Sequence, residues 1–258
     1  MTRSSQLTAQ LYSLRDFLKS PADIAATLKR VRRMGYENVQ ISGLAPIDAG
    51  ELKLMLDDAG VLAVGYHASL QRLRDDLAGM IRELHTWGTR YAALAYLDAN
   101  ERKDASAWKA RAKELTRLGK ILKKEGITLQ YHNHAFEMQR FGLMTGLEIL
   151  YANSDPRYLQ AEIDTHWIAR GGGDPAAWCA CLKGRMDQVH LKDAAMLDNQ
   201  PIFAEIGEGN LNWPAILKAC KRSGVKHYIV EQDSCPITND PFKSLAISYK
   251  NLRAMGLR

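Results

Sequence analysis

Short apolar runs and longer segments of helical period alternate along the whole chain. Gln6 to Tyr12 alternates with period two and predicts a strand, and Pro21 to Met34 follows with helical spacing. Ser20 stands as its N-cap, Pro21 takes the first helical position, and Gly35 falls just past its end. Asn38 to Ser42 reads as a second strand, and Ile47 to Ala59 as a helix stopped by Gly60. Leu62 to Tyr66, leading into His67, is the third strand, Leu70 to Trp87 a helix, and Tyr91 to Tyr96 a largely apolar fourth strand. Ala105 to Glu125 is a long charged helix closed by Gly126. Thr128 to Asn133, Leu159 to Asp164, Gln188 to Lys192 and Tyr228 to Glu231 supply the remaining strands. Helices fall between and after them: Gly142 to Ala152, one opened by Asp174-Pro175, one from Trp213 with Pro214 at its start, and a last from Asp240 to Ala254.

Strands that alternate with helices imply a parallel sheet. Eight such units in 258 residues imply an α/β fold with a single (β/α)8 TIM barrel, which typically takes about 250 residues, so residues 1–258 are expected to form one domain. A doubly wound open sheet is the alternative, but no G-x-G-x-x-G follows the first strand. The apolar share of 46% and charged share of 25% are those of an ordinary globular protein. A net charge of +6 raises the question of nucleic acid. The basic residues, such as Lys109, Arg111, Lys113 and Arg117, are spread along helices, mixed with acidic ones and without aromatic interleaving, which suits a solvated face. Neither nucleic acid nor membrane is expected as a partner.

Cys179, Cys181, Cys220 and Cys235 show no zinc-ribbon or CxxC spacing, so reduced, buried thiols and a cytoplasmic location are expected. The N-terminal MTRSSQLTAQLYSLRD has no long apolar core of a signal peptide, although a chain relieved of such a leader would look the same.

In a barrel of this kind the site lies at the C-terminal ends of the strands. Strand three ends in His67, strand five in His132 and His134, strand six in Asp164 and His166, strand seven in His190 and Lys192, and strand eight in Glu231 and Asp233. Of seven histidines only His85 and His227 fall elsewhere. One such histidine is ordinarily a hydrogen-bonded rim residue. Five on one rim, with Asp164 and Glu231, are harder to assign to packing, because buried carboxylates are costly unless paired or metal-bound. Mixed imidazole and carboxylate ligation suits Mn, Zn, Co or Fe, with Mg admitted where oxygens and water dominate.

The segments EIDTHWIARGGGDP (Glu162 to Pro175), QVHLKD (Gln188 to Asp193), GEGNLNW (Gly207 to Trp213) and YIVEQD (Tyr228 to Asp233) resemble the sugar phosphate isomerase/epimerase family with the xylose-isomerase-like TIM barrel. The similarity covers nearly the whole chain and is strongest after Thr128. The resemblance implies one divalent ion held by a glutamate of strand five, an aspartate of strand six, a histidine of strand seven and a glutamate of strand eight. Asp164, His190 and Glu231 match the last three, whereas the strand-five position falls on His132. Either His132 takes over as ligand, which is preferred, or Glu162, two residues before Asp164 on the same strand face, supplies the carboxylate from deeper in the barrel.

The family's epimerases use the two glutamates both to bind metal and to move protons, so the departure at His132 weakens a plain epimerase reading. His134 matches a general acid or base of dehydratase-like members. Lys192 is expected either to neutralise an oxyanion or to pair with Asp193 or Glu162. Glu208, in the turn Gly207 to Gly209, either helps to close over substrate or belongs to a turn that simply needs its glycines. Trp167 offers a sugar platform or packs; Tyr12, Gln40, His67 and His166 are substrate-binding candidates by position. The expected catalytic residues are His134, Glu162, Lys192 and Glu231.

The resulting expectation is a divalent-metal-dependent isomerase or epimerase acting on a sugar or sugar-derived keto or polyol substrate through an enediolate-type intermediate. The alternative is a lyase or dehydratase, by β-elimination on a keto-sugar, an inositol-derived ketone or a 3-keto-glycoside. A non-catalytic sugar-binding barrel and a nuclease like endonuclease IV are more distant readings. The expected partner is a small carbohydrate, and the resemblance leaves room for a homo-oligomer paired through helices at the barrel face.

Overall fold

The computed structural model describes residues 5–258. Eight parallel strands close into a barrel: β1 Leu7–Gln10, β2 Asn38–Ile41, β3 Leu62–Ala68, β4 Tyr91–Leu94, β5 Thr128–His132, β6 Leu159–Asp164, β7 Gln188–Leu191 and β8 His227–Val230. β8 pairs with β1, through Leu7 opposite Tyr228, and so completes the ring. Helices cover its outside, and Leu7, Ala9, Val39, Leu129, Tyr131, Ile163, Val189 and Leu191 are buried between the strands and that layer.

The helices begin where short polar side chains can take up orphan backbone amides. Ser20 accepts from Asp23 N (3.2 Å) ahead of Pro21–Arg33, and Asp104, Asp174, Asn212 and Asp240 cap Ala105–Lys124, Pro175–Cys181, Trp213–Ser223 and Pro241–Ala254 in the same way. Several elements depart from the periodicity. The first strand stops at Gln10, whose side chain accepts from Tyr12 N (3.4 Å), and Leu11–Phe17 coils into a 3-10 helix. The segment from Leu70 to Trp87 is two helices, Leu70–Asp75 and Leu77–Trp87, because Asp76 leaves helical geometry and caps the second through Gly79 N (2.9 Å). A short hairpin, Arg140–Phe141 with Met144–Thr145, precedes Gly146–Ala152. After β7 a second hairpin, Asp193–Leu197 with Gln200–Ala204, turns through Asp198 and Asn199, both with positive φ (47° and 62°). These features rest on local side-chain bonds and turn geometry, which hydrophobic period does not register.

Barrel lumens are usually filled by layers of Val, Ile and Leu. Here Gln40 of β2 donates to Glu162 of β6 (2.6 Å) and Gln188 of β7 donates to Val64 O of β3 (2.7 Å), bonds that must cross the lumen. Gly65 makes the room: a Cβ there would lie 2.9 Å from Gln40 Nε2 and 3.1 Å from Gln188 Oε1. The barrel centre is therefore polar, and it leads up to the strand ends.

All four cysteines are free; Cys179 and Cys220 are buried as expected, but Cys181 is exposed and Cys235 half-buried. Among the described residues no helix is long and apolar enough to cross a membrane.

Candidate functional site

Parallel register sets the site residues side by side. His132 lies opposite Glu162, Asp164 opposite His190, and Gln10 opposite Gln40. Above them opens a cavity of about 330 Å³ lined by Tyr12, Ser42, His67, Tyr96, His132, His134, Glu231 and Asp233. Tyr131 and Asn133, on the other face of β5, serve as supports: the Tyr131 hydroxyl donates to Glu137 (2.8 Å), and Asn133 Oδ1 accepts from Asp164 N (2.9 Å).

His132, Asp164, His190 and Glu231 are buried, and one ligand atom from each lies within 4.8 Å of the others. His132 Nδ1 and Asp164 Oδ2 are buried without a hydrogen-bond partner, although the Lys192 ammonium stands 3.2 Å from Asp164 Oδ2. Unpaired donors of this kind beside a second carboxylate and a second imidazole suit a divalent ion. A second set, His67, His132, Glu162 and His190, shares two of these rings lower in the barrel.

The electrostatics favour neutral outer imidazoles and ionised carboxylates. Burial, reinforced by His190 and His67, holds His132 well below the ordinary histidine range. Burial and the Lys192 charge bring His134 down to about 4. His190 goes the other way. Burial would lower it, but Glu162 and Glu231 outweigh that and raise it; its Nδ1 donates to Glu231 Oε2 (3.0 Å). Burial opposes ionisation of Glu231 and Glu162, yet Lys192 and His190 hold the first well below its usual value, and His190 and His67 lower the second. For Asp164 burial wins over Lys192 and raises it to about 6.

Lys192 is fully buried, and its ammonium contacts Asp164, Glu231 (2.9 Å) and Asp233. Those three carboxylates hold it above its ordinary value although burial alone would lower it. The expected pairing with Asp193 or Glu162 is corrected. Asp193 instead accepts from Gly207 N (2.9 Å), Gly209 N (3.2 Å), Leu211 N (3.2 Å) and Trp213 Nε1 (2.5 Å).

The remaining candidates separate by depth. His67 and Tyr12 line the cavity. Gln40 and Glu162 are fully buried, bonded to each other and not among the residues that line the cavity. His166 is buried, donates from Nδ1 to Asp193 O (2.9 Å) and stacks on Phe203, away from the cavity wall. Trp167 sits 5.5 Å from the His134 ring at the edge of the site. Glu208 is exposed, accepts from Asn251 of the last helix (2.9 Å) and is not among the residues that line the cavity.

Sequence reasoning placed Asp233 at the rim without giving it a role, and it missed Gln10, Tyr96 and Glu137. Asp233 shares a face with Glu231 and was legible by the same alternation. Gln10 ends β1 and holds Gln40 (2.6 Å). Tyr96 lies past its strand and flanks His134 at 5.4 Å. Glu137 is fully buried and accepts from His134 N (2.9 Å), a loop closure with no periodic signal.

Residues 28–246 match the family model described as the xylose isomerase-like TIM barrel. The chain is 23% identical to the rhizopine catabolism protein MocC of Rhizobium meliloti, over 88% of this chain and 80% of that protein. It is 24% identical to an inosose dehydratase of Lacticaseibacillus casei, over 85% of each. Among solved structures, a sugar phosphate isomerase/epimerase from Parabacteroides distasonis superposes with a TM-score of 0.79 at 22% identity, covering 99% of this chain and 96% of that one.

Proposed function

The chain belongs to the xylose isomerase-like TIM barrel family, and from that premise we propose that it is a divalent-metal-dependent enzyme that moves the proton next to a carbonyl in a sugar or sugar-derived ketone. The observation that carries this reading is the convergence of His132, Asp164, His190 and Glu231 at the base of a cavity whose wall holds a neutral His134. When bound by those four residues, the ion supplies Lewis-acid polarisation of a carbonyl oxygen.

The chain's own groups do the rest. His134, uncharged above about pH 4, accepts the proton from the carbon beside the carbonyl, which leaves an enediolate. Glu137 positions it by accepting from its backbone amide. Tyr12 and Tyr96 flank the mouth and offer faces for the apolar side of a sugar ring. Lys192, below the cavity surface, keeps Glu231 and Asp233 from repelling each other and contributes positive charge beneath the developing oxyanion. Return of the proton to the opposite face or the neighbouring carbon makes the enzyme an epimerase or isomerase.

A dehydratase reading stands second, favoured by the inosose dehydratase relative and by a histidine where the resembled epimerases carry the strand-five glutamate. In that case the enediolate expels its β-hydroxyl, which takes back the proton held on His134 and leaves as water.

The test is incubation of metal-loaded and chelator-stripped protein with ketohexoses and an inosose in deuterated water, followed by proton NMR. Loaded enzyme is expected to exchange one carbon-bound proton of an accepted substrate, with the product separating the two readings. His134→Ala should slow exchange by about a hundredfold or more. Exchange that survives both stripping and His134→Ala would sink the proposal.

A further inference from the structure

Glu162 turns one oxygen, Oε2, toward three imidazoles at once: His67 Nε2 at 2.8 Å, His190 Nε2 at 3.4 Å and His132 Nδ1 at 3.6 Å. Ligands about 2.1 Å from a tetrahedral ion stand about 3.4 Å apart, so these spacings depart from that edge by about 0.6 Å at most. His132 Nδ1 is buried and has no hydrogen-bond partner.

Hydrogen bonds already hold Glu162, His67 and His190 in place. Gln40 Nε2 donates to Glu162 Oε1 (2.6 Å) and leaves Oε2 facing the rings. Glu231 holds His190 at Nδ1 (3.0 Å), Gln40 Oε1 accepts from His190 Nε2 (2.7 Å) in the place an ion would take, and Gln10 Nε2 stands 3.3 Å from His67 Nδ1. The Glu231 carboxylate behind His190 is the usual outer support of a metal-bound histidine. Lys192 pairs with Asp164, Glu231 and Asp233, so its charge opposes an ion in the upper set more directly than one among these four residues.

We propose that His67, His132, Glu162 and His190 form a second divalent-cation site, deeper in the barrel than the set used in the proposed function, that takes a zinc-class ion through three imidazoles and one carboxylate oxygen. Because the two sets share His132 and His190, one ion at a time occupies the cluster. Three nitrogens favour zinc or cobalt in the deep seat, whereas two carboxylates make the upper set the better seat for manganese or magnesium. Each imidazole binds the ion through a nitrogen lone pair, so a proton on that nitrogen moves to the other ring nitrogen of a neutral ring, or to solvent from a charged one, as the ion enters. The inference rests on the metal-centre part of the proposed function and is independent of its proton chemistry.

The test is calorimetric titration of metal-stripped full-length protein with Zn²⁺ and with Mn²⁺, alongside the visible spectrum of the Co²⁺ form. His67→Gln and Glu162→Gln, each checked for native circular dichroism, are expected to weaken zinc binding at least tenfold and to abolish the tetrahedral cobalt absorption. Asp164→Asn should keep both and lose manganese affinity. Zinc affinity and cobalt spectrum unchanged in His67→Gln and Glu162→Gln would overturn the deep site, as would loss of all zinc binding in Asp164→Asn. If His67→Gln loses manganese as well as zinc, the deep seat stands as the only one and the upper set of the proposed function fails.

Discussion

Lys192 is the residue on which the polar centre balances. Its ammonium is fully buried among Asp164, Glu231 and Asp233. Removing one partner of a buried charge cluster leaves the others uncompensated, at about 3–5 kcal/mol. Lys192→Met is therefore expected to lower the melting temperature of metal-free protein by about 10 °C in thermal unfolding. An unchanged melting temperature would show that the ammonium does not neutralise these carboxylates. Glu137 carries a different dependence. Burial raises its carboxyl to about 7 even though His134 N and the Tyr131 hydroxyl donate to it. The folded value lies above the unfolded one, so the native protein keeps this proton where the unfolded chain releases it. The contribution is fully present below about pH 4.5 and is lost as pH rises to about 7, by at most about 3 kcal/mol. Glu137→Gln is expected to flatten the stability profile over this range and to raise stability near pH 8. A profile as steep as that of the parent would assign the slope to another group.

At the scale of elements, the chain after β7 is organised by one side chain. Asp193 gathers three backbone amides and an indole from Gly207 to Trp213. Gly209 is required there, since a Cβ would come 2.4 Å from Asp193 Oδ1. Asp193→Ala orphans those donors, each at about 1–3 kcal/mol when it stays buried. Faster proteolysis within residues 193–211 is expected, together with a lower melting temperature, while Asp193→Asn falls between the two. Equal proteolysis of variant and parent would mean that the hairpin and turn hold without this anchor. The hairpin itself and the break at Asp76 escape a reading by period, because two-residue turns and single capping bonds leave the apolar spacing intact.

For the whole molecule, closure of the barrel gives the site its energetic reach. The ligands of either set come from three or four strands, so an ion adds a side-chain cross-link to strands already paired through their backbones. An ion at about one hundred times its dissociation constant adds about 2.7 kcal/mol to folding, worth roughly 5–10 °C in a domain of this size. Chelation should reverse the shift in the same thermal scan, and no shift at a concentration where titration shows binding would mean that the ion does not join the strands. Much of this architecture was legible in the chain alone. Eight alternations of period two and period 3.6, punctuated by Ser20, Asp174-Pro175 and the terminal glycines, are local properties, and they specify a parallel barrel without reference to contacts. Because such a barrel ends all its strands on one side, the same pattern gathered His67, His132, His134, Asp164, His190 and Glu231 on one rim. Only the tertiary structure decided which of these touch. That Glu162 sits beside His132 among three rings, that Gln40 spans from β2 to β6, and that Lys192 faces Asp164, Glu231 and Asp233 while Asp193 faces away depend on the stagger of the closed sheet and on rotamers set by packing across it. Those distances join residues far apart in the chain, and no local periodicity encodes them.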